Sequence, residues 1–462
     1  MKFGGTSVGS ADRFREVFAL VKKSWQAGSN PTVVLSAMSG ITNALIACAN
    51  SAAKRNLEQT LKQLTDVRKI HLVLSSELLS DFPWQRDALD ADLEPLFDQI
   101  EVLLRGVSYL GELSKRSLDA VSGFGELLSS KSFAALAQAH GLPVCWLDAR
   151  QFLITDEHFG AASPLWDTLV PKAQQLLLPV LQENQCIVTQ GFIGATAHGV
   201  STTLGRGGSD YSASIIGVAI NASEIQIWTD VDGMMTADPR LVPDAIALEE
   251  VSFQEASELA YFGAKVLHPL TIKPAVQKKI PVRILNTMKP ENKGTLISET
   301  PRALSLDSDI CSIASKKGLT AIFINSPGML MAYGFLAKVF EVFARFETPI
   351  DLIATSEVST SLTIDCIDRL KQISEALSEL GEVKILHDVA IITVVGRQFR
   401  EKSGIAGHIF NALSDINIIM ISGGASDINL SCVVSSKDAD TSVKLLHKCF
   451  FTPGKILTAS VQ

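Results

Sequence analysis

The sequence has no C-x-x-C pair, no apolar run reaching the ~18 residues of a membrane span, and no basic run or aromatic-basic stripe. Its cysteines (Cys48, Cys145, Cys186, Cys311, Cys366, Cys432 and Cys449) are scattered. That argues against a zinc site and for reduced thiols packed as small apolar residues. With a net charge of −8, the lack of basic clusters argues against nucleic acid and acidic membrane surfaces as partners. Met1-Lys-Phe-Gly-Gly5 shows no signal-peptide pattern, so a cytoplasmic location is expected. The Walker pattern G-x-x-x-x-G-K-[ST] and the dinucleotide pattern G-x-G-x-x-G are both missing. Any phosphate site here is of another kind.

What is present suits a folded chain of two or three domains: 462 residues, 47% apolar and 19% charged. Residues 1–50 read as turn, helix, strand, turn, helix, with Pro31-Thr-Val-Val-Leu-Ser36 as a buried-strand run. Residues 56–140 read as helical, with strong breaks only near Asp81-Phe-Pro83 and Ser122-Gly-Phe-Gly125. From 143 to 285, strand-like runs at 144–147, 186–189, 225–228 and 282–285 alternate with helices. That alternation predicts an α/β sheet covered on both faces. A polar, turn-rich stretch from Met288 to Pro301 places a boundary near 300. Beyond it the chain repeats itself, with Gly334, Phe340 and Ser356 matching Gly404, Phe410 and Ser426. Each copy reads strand, glycine turn, helix, strand, strand, helix. Leu336, Val339, Phe340 and Phe343 form one expected core stripe, and Ile405, Ile409, Phe410 and Leu413 the other. Repetition of a small βαββαβ unit favours edge-to-edge pairing.

Four motifs carry candidate chemistry. Thr202-Thr-Leu-Gly-Arg-Gly-Gly-Ser-Asp210 puts three glycines, an arginine fork and a carboxylate into one turn, as an anion-binding nest requires. Lys2-Phe-Gly-Gly-Thr-Ser7 sets a cation ahead of Gly4 and Gly5; such a lysine is either a solvated charge or a phosphate neutraliser. Ser36-Ala-Met-Ser-Gly-Ile-Thr-Asn43 is a hydroxyl-rich turn that caps a helix and also offers Thr42 to a ligand. In Ser122-Gly-Phe-Gly-Glu126, the glutamate is either a helix-start acid or a partner for a substrate ammonium. Further along, Trp228-Thr-Asp-Val-Asp-Gly233 and Asp238-Pro-Arg240 offer an edge for a nucleotide, and Phe262-Gly-Ala-Lys-Val-Leu-His268 places Lys265 after a glycine turn. His268, next to Pro269, reads as structural.

Taken in order, KFGGTS, SAMSGITN, SGFGE, TTLGRGGSD, WTDVDG, TADPR and FGAKVLHP resemble the aspartate kinases, with a tail similar to paired ACT domains. The resemblance implies an amino-acid-kinase fold (α/β, an open, mainly parallel sheet between helices) over 1–298. Two α+β ferredoxin-like ACT units, 299–383 and 384–462, would follow. It implies transfer of the ATP γ-phosphoryl group to the β-carboxylate of L-aspartate, opening lysine, threonine, methionine and diaminopimelate biosynthesis. Lys2 and Asp210 would be catalytic, and Thr42, Glu126, Arg206 and Ser209 would hold aspartate. Lys2, Gly4, Gly5, Ser209, Thr229, Asp230, Met235, Arg240 and Lys265 would lie along ATP. Mg²⁺ would be held by phosphate oxygens and water rather than by dedicated ligands. Met329, Phe335, Leu336, Asp351, Ser356 and Glu357 would form an effector site, with lysine as the inhibitor, in a homodimer joined through the ACT units.

Three departures from the family pattern stand out. Lys2 directly follows Met1, where relatives carry a whole strand. Met234-Met235 stands where many carry a tyrosine, and Ala332 where lysine-sensitive relatives have serine. Two rival readings stay open: a kinase of another amino-acid carboxylate, and an amino-acid sensor with an inactive kinase domain.

Overall fold

Short runs rich in Val and Ile become strands buried on both faces. The computed structural model describes residues 1–262, 269–299, 301, 310–329, 333–399, 401–424 and 426–451. The chain forms two compact units. Met1–Gly233 and Val266–Thr300 make the first; Met234–Lys265 and Pro301–Gln462 make the second.

In the first unit, strands lie in the order Val144–Trp146, Cys186–Gln190, Thr32–Leu35, Lys2–Phe3, Ile225–Thr229, Val282–Asn286, Thr295–Ser298. All pair in parallel except the last hairpin. Val33, Leu35, Ile187 and Val188 are fully buried, and each such side chain contributes about 1.5–3 kcal/mol of apolar burial. Lys2–Phe3 is only two residues long, yet it pairs on both sides, Lys2 opposite Val34 and Ile227. Chain order reverses at this strand, and open α/β sheets bind ligands outside such a switch point.

The expected helical region resolves into Leu57–Leu78, Pro83–Leu110, Lys115–Ser122 and Phe124–Ala139. Asn56 and Ser114 cap two of them, and Pro83 opens a third. One break was not expected: Gly111, at φ 70°, ends the Pro83–Leu110 helix. A small three-stranded sheet (Ile154–Thr155, Ile193–Thr196, Ser201–Thr203) leads straight into the glycine loop.

In the second unit, the two copies share a six-stranded sheet ordered Leu352–Thr355, Ser359–Ile364, Ile310–Asn325, Glu382–Gly396, Asn429–Ser435, Met420–Gly423. Gly334 (φ 76°) and Gly404 (φ 90°) immediately precede the helices Phe335–Arg345 and Ile405–Ala412, as the repeat predicts. The copies are nested rather than consecutive. Residues 310–316 pair with 391–396, and Ile310 and Ile313 pack with Ile405, Ile409 and Leu413 of the second copy. After a register shift between Lys316 and Leu319, residues 320–325 pair with 359–364 and 382–386, and Ile322 and Ile324 join the core of the first copy. A division at 383 therefore falls at the start of a strand that serves both copies. Likewise, residues 234–262, expected within a domain ending at 298, belong to the second unit, where Ala237 and Val242 enter the second copy's core.

The expected stripe in the first copy needs one correction. Phe340 is 43% exposed, and Val342 is buried beside Val339 and Phe343 instead, because the packed face of the helix turns one position away from Phe340. Cys48, Cys186, Cys311 and Cys432 are buried. Among the described residues, no helix is long and apolar enough to cross a membrane.

Candidate active site

The central strand carries Lys2 to the C-terminal edge of the sheet, and two glycines follow at once. Gly5 approaches the neighbouring turn so closely that a Cβ there would lie 2.9 Å from the Ala37 carbonyl oxygen. The Lys2 ammonium lies 2.6 Å from Asp210 Oδ1, with both side chains largely buried. Asp210 sits in the first turn of the helix Gly208–Ala219, whose free amides and dipole favour an anion just beyond its start. Gly207 (φ 71°) gives that helix its left-handed entry. On the facing loop, a Cβ on Gly191 would meet Ser209 at 2.6 Å, and one on Gly208 would meet Phe192 at 2.7 Å. Phe192 itself holds φ 65°, a left-handed conformation that costs a non-glycine residue about 1–2 kcal/mol.

These pieces surround a cavity of about 260 Å³ in the first unit. Of the expected residues, Lys2, Gly4, Gly5, Thr42, Glu126, Ser209 and Asp210 line it; Ser36 and Phe192 join them. Arg206 is placed otherwise. It is exposed at the loop tip between the left-handed Gly205 and Gly207, and it does not line the cavity.

Glu126 is the most unusual group in the site. It lies in the first turn of the helix Phe124–Ala139, is 3% exposed, and its Oε2 has no partner. Burial raises its pKa to about 8, against the lowering effect of backbone hydrogen bonds at Ala37 and Glu126. A buried acid with an open oxygen is suited to an incoming cation. Gly125 makes this helix packing possible, since a Cβ there would lie 2.7 Å from that of Ala37.

Asp119 had no signal in the sequence. It is buried and ties two loops together, accepting from Thr203 N at 2.9 Å, Thr203 Oγ1 at 2.8 Å and Gly160 N at 2.9 Å. It anchors the glycine loop at its base.

The remaining expected residues lie elsewhere. Thr229 ends its strand and donates to exposed Asp230 at 3.1 Å. Nearby Asp232 is bonded by Asn286 and by Lys289, the latter at 2.8 Å, and Lys289 is the larger cause of its lowered pKa. Met235 and Arg240 belong to the second unit. The Met235 carbonyl accepts from Ser312 Oγ at 2.7 Å, and exposed Arg240 forks onto Asp238 at 2.6 Å. Lys265, His268 and Ala332 lie outside the described residues.

At the expected effector site, Phe335 and Leu336 open their helix and are half-buried. Thr360 Oγ1 lies 3.7 Å from the Met329 sulfur, Ser356 bonds Ser359 at 2.7 Å, and Glu357 is exposed. Asp351 is already engaged by Lys316 at 2.6 Å. The repeat places Ile421, 48% exposed, where Asp351 stands in the first copy, so the two copies differ chemically at this point.

Comparisons with known proteins agree with this geometry. Residues 1–286 match the model of the amino acid kinase family, and residues 392–450 match an ACT domain. Aspartokinase 3, chloroplastic, of Arabidopsis thaliana is 38% identical over 98% of this chain and 81% of its own length. Lysine-sensitive aspartokinase 3 of Escherichia coli (strain K12) is 36% identical over 97% of this chain and 98% of its own. The crystal structure of E. coli aspartokinase III with aspartate and ADP (R-state) superposes with a TM-score of 0.84, at 35% identity, covering 98% of this chain and 99% of that one. The same enzyme with lysine and aspartate (T-state) gives 0.79 at the same identity and coverage. With the buried Lys2–Asp210 pair, the glycine loop and the ACT-type second unit, these matches show that the chain belongs to the aspartokinases, within the amino acid kinase family.

Proposed function

We propose that this chain transfers the γ-phosphoryl group of ATP to the β-carboxylate of L-aspartate, giving 4-phospho-L-aspartate and ADP. The observation that carries this reading is the convergence of Lys2, Asp210, Ser209 and the unpartnered acid Glu126 on one cavity. An E. coli relative that is similar over almost its whole length has been crystallised with aspartate and ADP.

The β-carboxylate is already ionised at neutral pH, so it attacks phosphorus without a general base. What it requires is relief from repulsion by the triphosphate, and an in-line approach. Lys2 neutralises charge on the moving phosphoryl group, and Asp210 holds that ammonium in place. The amides of the glycine loop and the start of the Gly208–Ala219 helix receive phosphate oxygens. Glu126 takes the substrate ammonium, Thr42 and Ser209 orient the substrate, and Arg206 brings its guanidinium fork from the loop tip to the α-carboxylate. Thr229 and Asp230 flank the nucleotide. The nucleotide roles of Met235, Arg240 and Lys265 rest on the family resemblance alone. A lysine, hydroxyls and backbone amides fit a metal carried by the triphosphate, and Mg²⁺ there would offset phosphate charge.

Lysine is the proposed inhibitor, received by Asp351 with Met329, Phe335, Leu336, Ser356 and Glu357; the E. coli relative has also been crystallised with lysine. The proposed assembly is a homodimer joined through the ACT units. The deciding experiment supplies purified protein with ATP and Mg²⁺ and offers aspartate, glutamate or N-acetylglutamate. Turnover is expected with aspartate; turnover only with another acid would overturn the reading.

A further inference from the structure

The helix Phe253–Phe262 is fastened at both ends inside the second unit. At its start, Ser252 and Glu255 cap each other: Ser252 N donates to Glu255 Oε2 at 2.6 Å, and Glu255 N donates to Ser252 Oγ at 3.1 Å. Arg397 closes on the same carboxylate at 2.7 Å, where the Glu255 side chain is 1% exposed. At its end, the Tyr261 hydroxyl donates to Asp351 Oδ1 at 3.1 Å. The Lys316 ammonium lies 2.6 Å from that same oxygen, 2.9 Å from Asp365 and 5.2 Å from the centre of the Tyr261 ring. The Asp351 side chain is 2% exposed, and its Oδ2 is buried without a partner. One oxygen holds two donors while the other, buried, holds none.

We propose that Tyr261 transmits effector binding at Asp351 to the chain segment that follows its helix, where Lys265 stands four residues on in the sequence. This rests on the reading of Asp351 as an effector ligand. A hydrogen bond to a charged carboxylate is stronger than one to a neutralised carboxylate. An effector ammonium bonded to Oδ2 offsets the remaining charge and weakens the hold on Tyr261. Arg397 keeps the other end of the helix fixed, so the release acts on the end that leads to Lys265. Coupling of this kind is reciprocal: whatever holds Tyr261 on Asp351 resists the effector.

The test compares the full chain with its Tyr261→Phe variant, measuring L-lysine binding by calorimetry and inhibition of the kinase reaction. The variant is expected to bind lysine as tightly as the unmodified chain or up to about five-fold tighter, since a competing hydrogen bond is gone. Because the variant already lacks the bond that lysine would loosen, its lysine-free activity is expected to fall several-fold toward that of the lysine-bound chain, with saturating lysine lowering it little further. An inhibition curve superimposable on that of the unmodified chain, with lysine bound, overturns the relay while leaving the effector site standing. Failure of the unmodified chain to bind lysine removes both. Amide exchange gives a variant-free check: lysine should speed exchange in the last turn of the Phe253–Phe262 helix, and unchanged exchange there counts against the relay.

Discussion

Lys2 and Asp210 meet at 2.6 Å although one opens the chain and the other begins a helix far along it. Each neutralises the other in a largely buried position. Removing either partner leaves an uncompensated charge at the point where the proposed reaction would move phosphoryl charge. Lys2→Met and Asp210→Asn are each expected to lower kcat by about 10²–10³-fold, the scale of losing one preorganised electrostatic group. Steady-state kinetics should show the loss in kcat, with a much smaller change in KM for aspartate. Losses confined to KM would place the pair in binding rather than catalysis.

Glu126 gives a prediction in protons. With its pKa near 8, it is protonated in the free protein at pH 7, and an incoming ammonium draws it into the charged form. Aspartate binding at pH 7 is therefore expected to release close to one proton per site, falling toward none at pH 9. Calorimetry in buffers of different ionisation enthalpy reads this directly. The sign for stability follows from the same shift. The folded pKa is raised above the unfolded one, so the group's stabilising contribution is complete below the ordinary glutamate range and is lost as pH rises toward 8. The slope is at most about 1.4 kcal/mol per pH unit. Glu126→Gln should flatten that stretch of the stability profile and raise KM for aspartate.

Gly191→Ala tests the close packing behind the cavity. The added methyl would fall 2.6 Å from Ser209 Cβ and 2.8 Å from its backbone Cα, so the start of the helix must move. Since a misplacement of about 1 Å costs on the order of 10²-fold in rate, activity should fall steeply while far-UV circular dichroism stays unchanged. Retained activity would mean that the position of Ser209 does not matter to the reaction.

Much of this was legible in local pattern. Largely apolar runs at 144–147, 186–189, 225–228 and 282–285 became strands, because a short apolar run bounded by turn residues is best buried in a covered sheet. Gly334 and Gly404 marked two helix starts because both needed positive φ. Asp119 was not legible, since its partners Gly160 and Thr203 lie far away in sequence and nothing local marks the bond. The exposure of Phe340 was hidden for a related reason: helical spacing shows a face, but its rotation against the neighbouring sheet decides which edge of that face is covered.

By itself, the sequence determined the element types, the glycine turns, the residue kinds needed for phosphoryl transfer and the presence of two similar C-terminal units. These depend on backbone conformation and periodicity within a few residues. Only the tertiary structure decided that Lys2 sits against Asp210, that Arg206 stands clear of the cavity, that the two copies are nested, and that Lys316 and Tyr261 already hold Asp351. Those are matters of strand order and side-chain meeting across long loops. Many pairings are compatible with the same local preferences, and burial of the shared core selects one.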